Sequence, residues 1–101
     1  MAKLTVVYWR DIPAQIIVKQ GRKTAKKVLP DRFAEAIDKA AMRSKLAGTD
    51  AYLEHWQRRE EDQNGDPEQL VQERLQQIDS EYDDERLKLL IRQGGLEQAE
   101  T

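Results

Sequence analysis

Residues 5–30 read TVVYWRDIPAQIIVKQGRKTAKKVLP, and the fold turns on them. Leu4, Val6 and Tyr8 alternate with Thr5, Val7 and Trp9, so β-branched and aromatic residues occupy both parities. That pattern predicts a central strand, apolar on both faces. Asp11-Ile12-Pro13 breaks it, because Asp readily starts a turn while Pro fixes φ and removes a backbone donor. A second strand is expected from about Ala14 to Lys19. Gln20-Gly21-Arg22-Lys23 reads as a turn in which Gly21 tolerates positive φ, and Thr24 to Leu29 returns as a third strand diluted by Lys26 and Lys27. Two registers fit the first hairpin. A three-residue loop pairs Tyr8 with Ile16 and leaves Trp9 with Val7 and Ile17 on the second face, whereas a four-residue loop pairs Trp9 with Ala14.

Beyond Pro30-Asp31 the period changes. Phe33, Ile37, Ala40 and Ala41 recur at helical spacing, and Gly48 offers a stop, which predicts a helix near Asp31 to Ala47. Thr49 or Asp50 can cap a second helix with Tyr52, Leu53 and Trp56 on its apolar side, running on as a purely polar segment over Arg58 to Gln63 and ending at Asn64-Gly65. Asp66-Pro67-Glu68-Gln69 is a strong new start, with Asp as cap and Pro at the first helical position. Val71, Leu75, Ile78 and Tyr82 then form one stripe. Leu87, Leu90 and Ile91 fall on nearly the opposite side of a straight continuation, so a break is expected around Ser80 to Asp84, with Ser80-x-x-Asp83 as capping box for the restart. Gly94-Gly95 closes the last helix. The expected fold is α+β: a small antiparallel sheet of two or three N-terminal strands packed by three or four C-terminal helices. Residues 1–95 form one domain on this reading, and 96–101 a frayed tail.

Composition narrows the function classes. The chain has 101 residues, 36% of them charged, 39% hydrophobic and none cysteine. Disulfide and thiolate chemistry are thereby excluded, and a cytoplasmic setting is expected. No apolar run approaches a membrane span, and the N-terminus has no signal-like segment. The net charge of −2 conceals a division: residues 1–32 carry eight Lys/Arg against two acids, and the rest carries nine against seventeen. Such asymmetry marks either an interaction surface or attraction between layers of one domain.

Chemical motifs do not survive inspection. Gly21-Arg22-Lys23-Thr24 resembles the end of a phosphate-binding loop, but Ile16 stands where the upstream glycine is required. Residues 60–65, EEDQNG, imitate half a calcium loop; Val71 occupies the position of the bidentate acid, and Pro67 interrupts it. His55 is the single histidine, with no second His or Cys to complete a zinc site or triad. The acidic run Glu81, Asp83, Asp84, Glu85 suits a helix start, where anions complement the dipole, better than an acid/base pair. No catalytic residue, metal ligand or cofactor is assigned, and an enzyme is not expected.

The segments TVVYWRDIPAQIIVK, DRFAEAIDKAAMR, DAYLEHW and EYDDERLKLLIRQGG together resemble a small bacterial domain family labelled "virulence factor", over nearly the whole chain. Its distinctive positions here are Trp9, Arg10, Asp11 and Pro13 and the restart Asp83-Asp84-Glu85-Arg86. The resemblance implies no assigned chemistry; it implies a domain found alone or appended to larger proteins, in a setting of corrinoid- and folate-linked methyl transfer.

Two candidate surfaces follow. Trp9, Arg10, Asp11, Ile17 and Lys19 are candidates for contact with another protein, because Trp and Arg dominate interface hot spots and here adjoin a Pro-stiffened turn. Core packing is the competing reading of Trp9. Arg22, Lys23, Lys26 and Lys27 form a candidate basic patch for nucleic acid, the secondary reading, since Lys26 and Lys27 of an extended segment point to opposite faces and make no continuous stripe.

Overall fold

A computed structural model describes residues 1–97; the last four positions of the expected tail, 98–101, lie outside the described residues. Strand β1 (Ala2–Trp9) is followed by β2 (Ile12–Gln20), β3 (Lys23–Val28), helix α1 (Asp31–Arg43), the short helix α2 (Asp50–Glu54), β4 (Trp56–Gln63), α3 (Pro67–Glu81) and α4 (Asp84–Arg92). The sheet has four strands in the order β3-β2-β1-β4, every neighbouring pair antiparallel. β1 is central, as its two apolar faces predicted.

Helices cover one face of the sheet. α3 lies against β2 and β3, α1 against β2, and α4 packs on α1. Leu4, Val6, Ile16, Val18 and Ala25 point into this layer and join Phe33, Ala36, Ile37, Ala40, Val71 and Ile78 in one core cluster. The spacing of the α1 residues presents a single apolar stripe to the sheet, which holds this otherwise charged helix in place.

The segment read as a polar helix over Arg58 to Gln63 is instead the edge strand β4, so the expected count of two or three strands is corrected to four. Trp56-Gln57-Arg58-Arg59-Glu60-Glu61-Asp62-Gln63 has good helix formers and no period-2 apolar pattern. What makes it a strand is β1: a central apolar strand left with one unpaired edge would carry a row of buried, unsatisfied backbone groups. β4 satisfies that row along its whole length, from Ala2↔Gln63 to Trp9↔Trp56, and its charges protect the new edge.

α1 stops at Arg43, short of Ala47. Lys45 takes a left-handed conformation (φ 61), the Leu46 amide donates to the Ala41 carbonyl at 2.8 Å and the Lys45 amide to that of Met42 at 3.1 Å. This is the Schellman pairing, closed by a lysine rather than by Gly48. The start of α3 is as expected: the Asp66 carboxylate accepts from the Gln69 amide at 3.3 Å, with Pro67 first in the helix. The expected break is also present, between Glu81 and Asp84. Its cap is Asp83, which accepts from the Arg86 amide at 2.8 Å, and not Ser80, which lies inside α3. Arg32 holds the break against α1, donating to the Tyr82 carbonyl at 2.5 Å and to the Asp79 carboxylate at 2.6 Å.

Candidate protein-interaction surface

The β1–β2 turn decides where the expected contact residues go. Neither expected register is found: the turn consists of Arg10 and Asp11 alone, with Trp9↔Ile12 and Tyr8↔Pro13 paired, and a bulge at Ala14 restores Val7↔Gln15. Arg10 sits at φ 55 to close so tight a turn. Pro13 is therefore inside β2, not in the loop.

Trp9 is wholly buried, which corrects its placement on a docking corner. Its indole stacks on Tyr52 with centroids 5.5 Å apart and donates from Nε1 to the Tyr52 carbonyl at 2.8 Å. Gly95 closes over the ring: a Cβ there would lie 2.9 Å from the indole, and its φ of +91 independently favours glycine. Arg10 and Asp11 are engaged within the molecule as well. Arg10 Nη1 donates to the Gly94 carbonyl at 2.8 Å, Nη2 lies 3.3 Å from His55 Nε2, and the guanidinium sits 5.2 Å from the Trp9 ring. The Asp11 carboxylate meets Arg59 at 3.0 Å and accepts from the Glu97 amide at 2.7 Å. These residues tie the hairpin to α2, β4 and the segment after α4, so the Trp9-Arg10-Asp11 corner is a structural junction.

Ile17 and Lys19 separate from that corner along the strands and lie on the face opposite Leu4, Val6 and Ile16. Strand alternation and register place Lys3, Thr5 and Val7 of β1 there, beside Gln15, Ile17 and Lys19 of β2. β3 adds Thr24, Lys26 and Val28, and β4 adds Arg58, Glu60 and Asp62. Of the described helices α2 reaches this surface at its Trp56 end, where the Tyr52 ring lies 6.1 Å from that of Trp56, and Val7, though buried, is not part of the core cluster. Val28 is 66% exposed and Trp56 36%. Val7, Gln15, Trp56, Gln57 and Arg58 line a shallow depression of about 440 Å³ on it.

The candidate basic patch is divided. Arg22 occupies the β2–β3 turn, Lys26 is on the open face opposite Ile17, and Lys23 and Lys27 point to the opposite side, all exposed. The cations that do share a face, Lys3, Lys19, Lys26 and Arg58, were not grouped by the sequence reading, because the grouping requires the β1–β2–β3–β4 register. The signal within reach was the alternation of Lys3-Thr5-Val7 against Leu4-Val6; the β4 contribution had none.

Shifted ionisations lie around the helical layer. Burial pushes the Tyr82 hydroxyl up to about 12, with the nearby Tyr8 adding to the effect. Burial also raises Tyr52, while a hydrogen bond from Arg74 lowers Glu61 and fastens β4 to α3. Among the described residues no group of three His, Cys, Asp or Glu is placed to hold a metal, and no helix is long and apolar enough to cross a membrane.

Fold and surface together define a small α+β domain whose four-stranded antiparallel sheet is covered by α1 and α3 on one face and, away from the Tyr52 contact at Trp56, open on the other. The chain belongs to the family described as Virulence factor, whose model matches residues 7–91. The resemblance read from the four sequence segments is thereby borne out. No curated protein and no solved structure matches the chain.

Proposed function

We propose that this is a non-enzymatic accessory domain that binds another protein through the open face of its sheet. The observation that supports this most is the apolar track of Val7, Ile17, Val28 and Trp56 on a face that α2 meets at the Trp56 end, bordered by charges. Antiparallel sheets tolerate one solvated face, but that face then normally alternates to polar residues; a retained apolar track rimmed by charge is the pattern of a contact surface. The cytosol, and partners within corrinoid- and folate-linked methyl transfer, are the setting that the sequence and the family resemblance suggest for this role. Nucleic-acid binding is the second reading. Lys3, Lys19, Lys26 and Arg58 beside Trp56 favour it, as cations around a stacking ring, while Glu60 and Asp62 on the same face interrupt a phosphate track.

A photoreactive residue at Ile17, with Leu89 on exposed α4 as control site, tests the proposal in living cells. A polypeptide adduct at position 17 and none at 89 is the expected result. No polypeptide adduct at 17 sinks it, and a nucleic-acid adduct there replaces it with the second reading.

A further inference from the structure

The loop that joins β4 to α3 carries Asn64-Gly65, and Asn64 is the single asparagine of the chain. Both residues are exposed and belong to neither helix nor strand. They lie between the last pair of the β1–β4 ladder, Ala2↔Gln63, and the Asp66 cap of α3. Among the described residues the Gly65 amide donates to no backbone carbonyl. The neighbouring Asp66 carboxylate is engaged with the Gln69 amide at 3.3 Å. From this placement we propose that Asn64 is a site of spontaneous covalent modification, at which the Gly65 backbone nitrogen attacks the Asn64 side-chain amide and turns the residue, through a cyclic imide, into a mixture of aspartate and isoaspartate.

The reaction needs no reagent but water. Hydroxide takes the Gly65 N–H proton, the nitrogen forms a bond to Asn64 Cγ, and the Cγ–Nδ2 bond breaks. The leaving nitrogen takes a proton from water and departs as ammonia, which returns the hydroxide. A five-membered imide remains, and water opens it at either carbonyl. Attack at Cγ restores the ordinary main chain with a carboxylate in place of the amide. Attack at the main-chain carbonyl leaves the chain running through Cγ, one atom longer, and that extra atom falls between the end of β4 and the cap of α3.

Two features of the fold leave the ring closure open. A peptide nitrogen inside a helix or a sheet ladder is held by its hydrogen bond, and the Gly65 nitrogen has no such bond to the described backbone. A side chain on the residue after asparagine stands in the way of the approach of Cγ to that nitrogen, and glycine has none. Exposure of the loop supplies the water that the second step consumes.

The test uses the full chain, incubated over several days in neutral and in mildly alkaline buffer, both folded and in concentrated urea. Intact mass is expected to rise by about one dalton as amide becomes acid, with peptide fragmentation placing the change at position 64. Isoaspartate is read by methyl transfer from an isoaspartyl methyltransferase. The folded chain is expected to convert at a rate within about tenfold of the unfolded chain. Because the deprotonated nitrogen is the nucleophile, that rate should rise about tenfold per pH unit. Asn64→Gln is expected to abolish the change, since its longer side chain closes the five-membered ring no more. Gly65 stays intact throughout, because its φ of 141 would strain any side chain placed there. A folded chain that converts more than about tenfold more slowly than the unfolded one overturns the inference, since the fold then protects the loop. No conversion in either state, a mass gain undiminished in Asn64→Gln, or a gain without isoaspartate overturns it equally.

Discussion

Val6 and Val7 are neighbours in β1 and both are buried, yet they belong to different environments. Val6 joins the core cluster beneath the helices; Val7 is outside it, with Trp56 and Arg58 around the same shallow depression. The comparison between the two sides of the sheet therefore concerns what does the covering, not how much is covered. Helices fix their side of the sheet through close-packed contacts that cannot be exchanged without unfolding. The open side carries Lys3, Lys19, Lys26 and Arg58, residue types whose stems can shield apolar atoms while their charged heads stay in water.

The largest effect that would break this comparison is at Trp9, the residue that joins the hairpin to α2 and the segment after α4. Trp9→Ala is expected to lower the stability of unfolding by about 3–5 kcal/mol, measured by urea denaturation. A loss under about 1 kcal/mol would mean the junction is not part of the folded core. The sharper contrast is between adjacent isoleucines. Ile16 is wholly buried under the helices and Ile17 is half-buried on the open face. Ile16→Ala should cost about 2–4 kcal/mol and Ile17→Ala less than about 1 kcal/mol, and equal losses would erase the distinction between the faces.

The smallest effect is confined to alkaline solution. Tyr82 is held neutral by burial in the helical layer, its hydroxyl raised from 10.0 to about 12. The unfolded chain ionises first, so the stability this group contributes is fully present below pH 10 and is lost as pH rises through about 12. Urea midpoints of the wild type should therefore fall more steeply over that window than those of Tyr82→Phe. Parallel slopes would show that the ring is not held neutral there.

Much of the fold was legible in the sequence because it is encoded locally. The two-sided apolar run of β1, the turn at Gly21, the stripe of α1, the cap at Asp66 and the rotation of the apolar stripe between Tyr82 and Leu87 each carry their signal within a few residues. The helix stop at Lys45 was missed because a lysine in the left-handed position leaves no compositional trace, whereas the nearby Gly48 advertises a stop that the chain does not use at that point. The hairpin register was missed for a related reason. Arg10 adopts the positive φ usually reserved for Gly or Asn, so a two-residue turn was not visible where no such residue stands.

The candidate surface was barely legible. Ile17 and Lys19 were singled out beside Trp9, Arg10 and Asp11, but the structure divides that group between an open face and a closed junction. The division runs along the strands, since Trp9 lies at the turn end of β1 beneath Tyr52 and Gly95 while Ile17 pairs with Thr5 further along the sheet.

By itself, then, the amino-acid sequence determined an α+β domain with a central first strand, a helical C-terminal half interrupted near Tyr82, and a surface without cysteine or clustered histidine. Tertiary structure alone decided that Trp56 to Gln63 is a strand. That segment has no apolar period of its own, and its conformation is imposed by the unpaired backbone of β1, distant in sequence but adjacent in the sheet. The same long-range pairing brings Arg58, Glu60 and Asp62 onto the face that carries Lys3, Lys19 and Lys26, and so creates a surface of mixed charge that no stretch of the chain contains.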